Sequence, residues 1–338
     1  MESEPPFEET YKTLFDSHSV KELSKPQLIT DVWAAEEREL PLIDLRMLSE
    51  GDAAEIEECK REITKASEEW GFFQVVNHGV SGDVLEGMRR EQVKVFREPF
   101  YKKKDCRIMN MSPGSYRWGT PSATSLWQLS WSEAFHIPLT DIPRFGSRTS
   151  LRLTMKKFAT SIAELGLKLA SILAESLGEE SRFLEESCSQ STCYLRMNRY
   201  PPCPKYRRVF GLMPHTDSDF LTILCQDQVG GLQLVKDGKW ISVQPNPKAL
   251  IVNIGDLFQA WSNGVYRSVE HRVVANGKIE RFSTAYFLCP SHDAIIQSCK
   301  QPSLYRRFSF REYRQQVQDD VKESGHKIGL SRFLICRD

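Results

Sequence analysis

The segment Pro214-His-Thr-Asp217 sets an imidazole and a carboxylate two residues apart. Along an extended strand, residues i and i+2 project to the same face, so His215 and Asp217 can reach one ion together. A third donor must come from elsewhere. His271 lies in Tyr266-Arg-Ser-Val-Glu-His-Arg-Val-Val274, a strand-like run in which Val269, His271 and Val273 share one face and Ser268, Glu270 and Arg272 the other. Its ring is therefore expected to point inward with the valines. Two histidines and one carboxylate make the facial triad that leaves positions open on iron(II), which a cosubstrate and dioxygen need. Taken alone, His-x-Asp is more often a polar turn or a satisfied core histidine than a metal site, and the same holds for a lone His271.

The third element is Arg281-Phe-Ser283, whose arginine and serine are again i and i+2 and face the cavity expected to hold the metal. An arginine turned into an apolar interior is costly unless an anion neutralises it. The distal carboxylate of 2-oxoglutarate, held in a fork by Arg281 and capped by Ser283, meets that need. An internal ion pair with an acid is the alternative. A zinc hydrolase would use the two histidines and the aspartate but would have no use for Arg281 and Ser283. Upstream, Tyr194, Arg196, Asn198 and Tyr200 share one face, so Asn198 and Tyr200 can add hydrogen bonds to the same cosubstrate or be ordinary satisfied core groups.

Positioning these groups takes strands. From residue 190 onward the chain reads as short β-like runs between turns: Tyr194–Tyr200, Phe220–Cys225, Gly231–Val235, Ala249–Ile254, Arg267–Val274 and Arg281–Leu288. Evenly spaced short strands imply a sandwich or barrel. Ahead of them, residues 39–45 and 71–77 read as strands that join the same sheets, while residues 53–68 and 81–96 have helical spacing. Apolar Met155, Phe158, Ile162, Leu165, Leu169, Ile172 and Leu173 recur at helical intervals, predicting one long supporting helix closed by Gly178. Residues 1–38 read as a polar arm with one helix near residues 20–28. The expectation is an α+β chain in one compact body: a mainly helical region over residues 1–190 and a β domain over 191–338.

Composition narrows the partner. The chain of 338 residues has 45 basic and 45 acidic side chains, so no net field draws it to nucleic acid or acidic lipid. A small molecule is the expected partner. No run approaches the length of a membrane span. Nine cysteines without a Cys-x-x-Cys pair read as a reducing compartment, and the acidic N-terminus lacks the pattern of a signal or transit peptide. The cytoplasm is expected, with the nucleus open as well. Neither a GxGxxG run nor a phosphate-binding loop is present, which removes nicotinamide and nucleotide enzymes. Nothing here sets an oligomeric state.

Across nearly its whole length the sequence resembles the plant 2-oxoglutarate and iron(II)-dependent dioxygenases. The resemblance is carried by Leu40-Pro-Leu-Ile-Asp44, Trp70-Gly-Phe-Phe-Gln-Val-Val-Asn-His-Gly79, Asn198-Arg-Tyr-Pro-Pro202, Pro214-His-Thr-Asp217, Val252-Asn-Ile-Gly-Asp256, Ser262-Asn-Gly264, His271-Arg-Val273 and Arg281-Phe-Ser-Thr-Ala-Tyr286. It implies a double-stranded β-helix, or jelly roll, holding Fe(II) by His215, Asp217 and His271, with 2-oxoglutarate on Arg281, Ser283 and Tyr200 and O2 as oxidant. Within that family, the segments Gly114–Ser125 and Gln128–His136 are similar to gibberellin 2-oxidases of the group acting on 20-carbon gibberellins. That implies hydroxylation at carbon 2, which inactivates the hormone, on a diterpenoid acid. Tyr116, Arg117 and Trp118 would then form a substrate wall, the rings against the apolar skeleton and the guanidinium against a carboxylate. A gibberellin 20-oxidase, a flavonoid oxidase and a non-catalytic jelly-roll binding protein are the competing readings.

Overall fold

The computed structural model describes residues 3–21, 35–120, 123–146, 148–180, 182–188, 190–205 and 209–335. Thirteen strands build two facing sheets. They are β1 (Glu36–Arg38), β2 (Leu42–Asp44), β3 (Phe72–Val76), β4 (Tyr116–Trp118), β5 (Glu133–Pro138), β6 (Tyr194–Tyr200), β7 (Phe210–His215), β8 (Leu221–Gln226), β9 (Leu232–Lys236), β10 (Lys239–Val243), β11 (Leu250–Ile254), β12 (His271–Val274) and β13 (Arg281–Leu288). The smaller sheet runs β1-β10-β9-β12-β7 and the larger β2-β3-β11-β8-β13-β6-β5-β4. This is the α+β jelly roll that the resemblance implies, and a form of the sandwich expected from the strand spacing.

Helix Thr149–Ser176 backs the larger sheet. Its buried stripe includes Leu151, Met155, Phe158, Ile162, Leu169 and Leu173, continuous with Ile223 of β8 and Tyr286 and Leu288 of β13. Gly166 sits at the contact, where an added Cβ would lie 3.4 Å from Ile223 Cδ1. The helix begins before the expected Met155 because Leu151 extends the same apolar spacing by one more turn. Helices Ala53–Glu69 and Gly82–Phe96 flank it, the first opened by a capping box between Asp52 and Glu55.

Three boundaries differ from the sequence reading. The strand expected over residues 39–45 is shorter, Leu42–Asp44 paired with β3, because Pro41 has no N–H to give, and a separate strand, Glu36–Arg38, precedes it and pairs with β10. The run 267–274 is ordered as a strand only from His271, since Arg267 N instead donates to Ser67 O at the end of a helix. The β4–β5 hairpin was not foreseen, and it extends the larger sheet through β6. Most of the helix expected near residues 20–28 lies outside the described residues; the part described is helix Lys12–Lys21.

The hairpin is fastened by a buried acid. Glu133, fully buried, accepts from Lys103 Nζ at 2.5 Å, Tyr116 Oη at 2.5 Å and Arg199 Nη1 at 2.7 Å. Lys103 and Arg199 are themselves buried. Removing one partner of such a cluster leaves charge without compensation, which typically costs about 3–5 kcal/mol. Glu133→Ala should therefore lose about that much stability in denaturant titration, and an unchanged midpoint would show that the cluster contributes nothing net.

Candidate active site

Antiparallel pairing of β12 with β7 sets His271 opposite His215. Their rings lie 4.3 Å apart between centroids. Asp217 does not sit on the strand beside His215, as alternation would have it: β7 ends at His215, and Asp217 belongs to the loop that follows. That loop is pulled over the two rings by hydrogen bonds. Asp256 N donates to Asp217 O at 2.9 Å, while Thr222 Oγ1 and Asn253 Nδ2 both donate to Asp217 Oδ2, at 2.6 and 2.7 Å. With Oδ2 engaged, Oδ1 is turned to the histidines, 3.7 Å from His215 Nε2 and 3.9 Å from His271 Nε2. All three groups can offer ligand atoms within 4.8 Å of one another.

The backbone chooses the tautomers. His215 Nδ1 lies 2.8 Å from Met213 O, and His271 Nδ1 lies 3.1 Å from Val269 O. A carbonyl can only accept, so each Nδ1 carries the proton and each Nε2 keeps its lone pair for a metal. Burial, reinforced by the neighbouring His271, lowers the pKa of His215 to about 3, which keeps it neutral. Burial by itself would raise Asp217, but the charge that His271 and His215 carry when protonated, with the hydrogen bonds from Thr222 and Asn253, holds it below the usual carboxylate range. Two imidazole Nε2 atoms and a carboxylate oxygen turned to one point are the donor set that a divalent iron ion takes.

Arg281 closes the other end of the cavity. It is 2% exposed, and its Nη2 donates to Gln226 Oε1 at 2.7 Å. Its Nε and Nη1 are buried without a hydrogen-bond partner. Such a guanidinium keeps free donors for a carboxylate, and no acid among the described residues pairs with it. Ser283 and Asn198 pair across β13 and β6, with Asn198 Nδ2 3.4 Å from Ser283 Oγ. Tyr200 pairs with Arg281, whose guanidinium carbon stands 5.0 Å over the Tyr200 ring. Gly211 makes room for that ring, since a Cβ there would come within 2.8 Å of it. The triad, Arg281, Ser283, Tyr200 and Asn198 thus line one cavity of about 240 Å³.

Its remaining walls include Phe72, Leu212, Leu224, Leu232, Tyr194 and Phe287. Tyr194 stacks on Phe287 at 4.4 Å, and His136 lies 4.0 Å beyond Tyr194. Thr222, Asn253 and Gln226 escaped the sequence reading, although Asn253 stands out as a polar residue in the otherwise apolar β11. The stretch Tyr116–Trp118 does not form one wall, and none of its residues lines this cavity. Register splits it. Arg117 pairs with Ala134 and Ala134 with Asn198, so Arg117 lies on the cavity face of the sheet, exposed, two strands out from Asn198. Tyr116 and Trp118 project to the opposite face, the first onto Glu133 and the second among Phe7, Tyr11 and Phe100.

Comparison with known proteins places this geometry. Residues 190–290 match the model of the 2OG-Fe(II) oxygenase superfamily, and residues 40–149 match that of the non-haem dioxygenase in morphine synthesis N-terminal region. The chain is 61% identical to gibberellin 2-beta-dioxygenase 8 of Arabidopsis thaliana, with 98% of each chain covered. It is 49% identical to gibberellin 2-beta-dioxygenase 6 of Oryza sativa subsp. japonica, covering 98% of this chain and 96% of the other. A crystal structure of JOX2 in complex with 2OG, Fe and JA superimposes with a TM-score of 0.74 at 30% identity, covering 89% and 91% of the two chains.

His215→Ala, Asp217→Ala and His271→Ala should each abolish tight iron(II) binding in a direct titration. Asn253→Ala, which leaves Thr222 as the remaining side-chain donor to Oδ2 of Asp217, should weaken it by about 10- to 100-fold. Iron affinity that survives any of the three alanine substitutions removes that residue from the ligand set.

Proposed function

The chain belongs to the 2OG-Fe(II) oxygenase superfamily, within its gibberellin 2-beta-dioxygenase group, and from that premise we propose how its residues divide the work. The reaction is the hydroxylation of a gibberellin at carbon 2: dioxygen supplies one oxygen atom to the new hydroxyl and one to succinate, while 2-oxoglutarate loses carbon dioxide. Iron(II), when bound, supplies the activation of dioxygen that drives this exchange. His215 and His271 hold it through Nε2 and Asp217 through Oδ1. The unsatisfied Nε and Nη1 of Arg281 carry the reading, because a buried guanidinium with free donors calls for an anion and the distal carboxylate of 2-oxoglutarate supplies one. Ser283, Tyr200 and Asn198 complete that anchor, and Gln226 fixes the fork by accepting from Nη2.

Phe72, Leu212, Leu224, Leu232 and Val273 keep the cavity apolar, which excludes water from the reacting carbon. The strip Phe287–Tyr194–His136 suits a rigid terpenoid skeleton. Arg196, on the cavity wall, and Arg117, farther out on the same face, supply cations for its carboxylate. Tyr116 and Trp118 contribute by packing the hairpin. Twenty-carbon gibberellins are the proposed substrates, supported by the segments Gly114–Ser125 and Gln128–His136. A cytoplasmic setting is supported by eight cysteines that are free, and no helix among the described residues is long and apolar enough to cross a membrane.

Product analysis by mass spectrometry on a mixture of 20-carbon and 19-carbon gibberellins tests this. A 2-hydroxylated 20-carbon product is expected, and oxidation at carbon 20, or consumption of 19-carbon compounds alone, would overturn the substrate assignment. Arg281→Ala should raise the 2-oxoglutarate concentration needed for half-saturation by tenfold or more, since a charge-assisted pair is worth about 1.5–3 kcal/mol. An unchanged requirement would place the cosubstrate carboxylate elsewhere. Arg117→Ala should lower kcat/KM for gibberellin about ten- to hundredfold while decarboxylation of 2-oxoglutarate without substrate persists. Wild-type kinetics in that variant would move the substrate carboxylate away from β4.

A further inference from the structure

The loop bearing the carboxylate ligand is gripped from behind by a residue far away in sequence. Lys327, past the C-terminal end of helix Phe310–Ser324, keeps its side chain only 10% exposed. Its Nζ donates to Thr216 O at 2.9 Å and to Ser218 Oγ at 2.8 Å, the two residues that flank Asp217. The same ammonium pairs with Asp256 Oδ2 at 2.5 Å. That oxygen also accepts from Thr216 Oγ1 at 3.0 Å and from Tyr313 Oη, while Asp256 N donates to Asp217 O. The packing is close: a Cβ on Gly329 would lie 3.3 Å from Lys327 Cε, 3.4 Å from Tyr313 Oη and 3.5 Å from Asp256 Oδ2.

Thr222 and Asn253 orient the carboxylate of Asp217, but they do not hold the backbone from which it hangs. That backbone lies beyond the end of β7, where ladder hydrogen bonds no longer restrain it. Lys327 is the cation that reaches both neighbours of the ligand at once, and Asp256 ties that cation to the loop through its own N–H. Three donors on one ammonium suit the three acceptors Thr216 O, Ser218 Oγ and Asp256 Oδ2.

We infer that Lys327 is a positioning residue for the metal: the C-terminal segment clamps the loop of Asp217 and holds its Oδ1 at the distance from the two Nε2 atoms that iron(II) requires. The inference rests on the metal assignment made above. It predicts that the C-terminus acts on iron affinity without touching iron, cosubstrate or substrate.

The test compares full-length wild type with Lys327→Met/Asp256→Asn, which removes both charges together so that neither is left buried alone. Iron(II) affinity is measured by chelator competition, melting temperature in the metal-free state, and turnover as a function of added iron. The expected result is at least a tenfold weaker iron(II) affinity, a shifted iron requirement, and kcat recovered at saturating iron. Iron affinity within twofold of wild type in the folded variant overturns the inference, as does a kcat that excess iron does not restore. Ser218→Ala removes one gripped hydroxyl and covers the case in which the double variant fails to fold: a two- to fivefold loss of iron affinity supports the clamp, and none overturns it. Wild type that binds no iron(II) would instead sink the metal assignment itself.

Discussion

A guanidinium lies inside this protein with part of its hydrogen-bonding capacity unmet, and the architecture around it makes sense as a means of keeping it so. Arg281 stands on β13, near the middle of the larger sheet, between β6 and β8. From β8 it receives Gln226, and from β6 the face of Tyr200. Neither is an anion. A buried cation that a protein does not neutralise with its own acids is costly to maintain, and it persists where a ligand returns that energy on binding. The large sheet, the helix behind it and the space left by Gly211 hold the arginine rigidly enough for a small diacid to find its fork already formed.

The metal end is shared between the sheets. His215 and His271 come from the smaller sheet, whereas Thr222 and Asn253, which orient Asp217, come from β8 and β11 of the larger one. Iron held by this set joins the two layers across the cavity, so the free energy of metal binding also opposes their separation. The same arrangement divides function by distance. Arg281 and Ser283 stand on the central β13, His215 and His271 on the facing sheet, and Arg117 lies farthest out, on the edge strand β4.

Much of the site could be read from local pattern, because strand alternation is a strong constraint. Arg281 with Ser283, and Asn198 with Tyr200, each needed only the two-residue period, and the pairing of β13 with β6 then brought the four together. Asp217 shows where that logic ends. Its place is set by Thr222, Asn253 and Asp256, contacts that no periodicity reports. Tyr116, Arg117 and Trp118 looked like one surface as a run of letters, but a strand separates neighbours onto opposite faces, and the hairpin became visible only through its register with β6. Lys327 was illegible for the same reason as Glu133: a lone charged residue announces burial only when its partners are known.

If the triad and Arg281 together couple oxidation of 2-oxoglutarate to hydroxylation of a gibberellin, one dioxygen molecule is divided between the two products. Turnover under oxygen-18 gas, with mass spectrometry of both products from one reaction, tests it most directly. One labelled oxygen is expected in the new carbon-2 hydroxyl, one in succinate, and equal amounts of the two products. Hydroxylated gibberellin formed without succinate, or carrying oxygen from water alone, would contradict it.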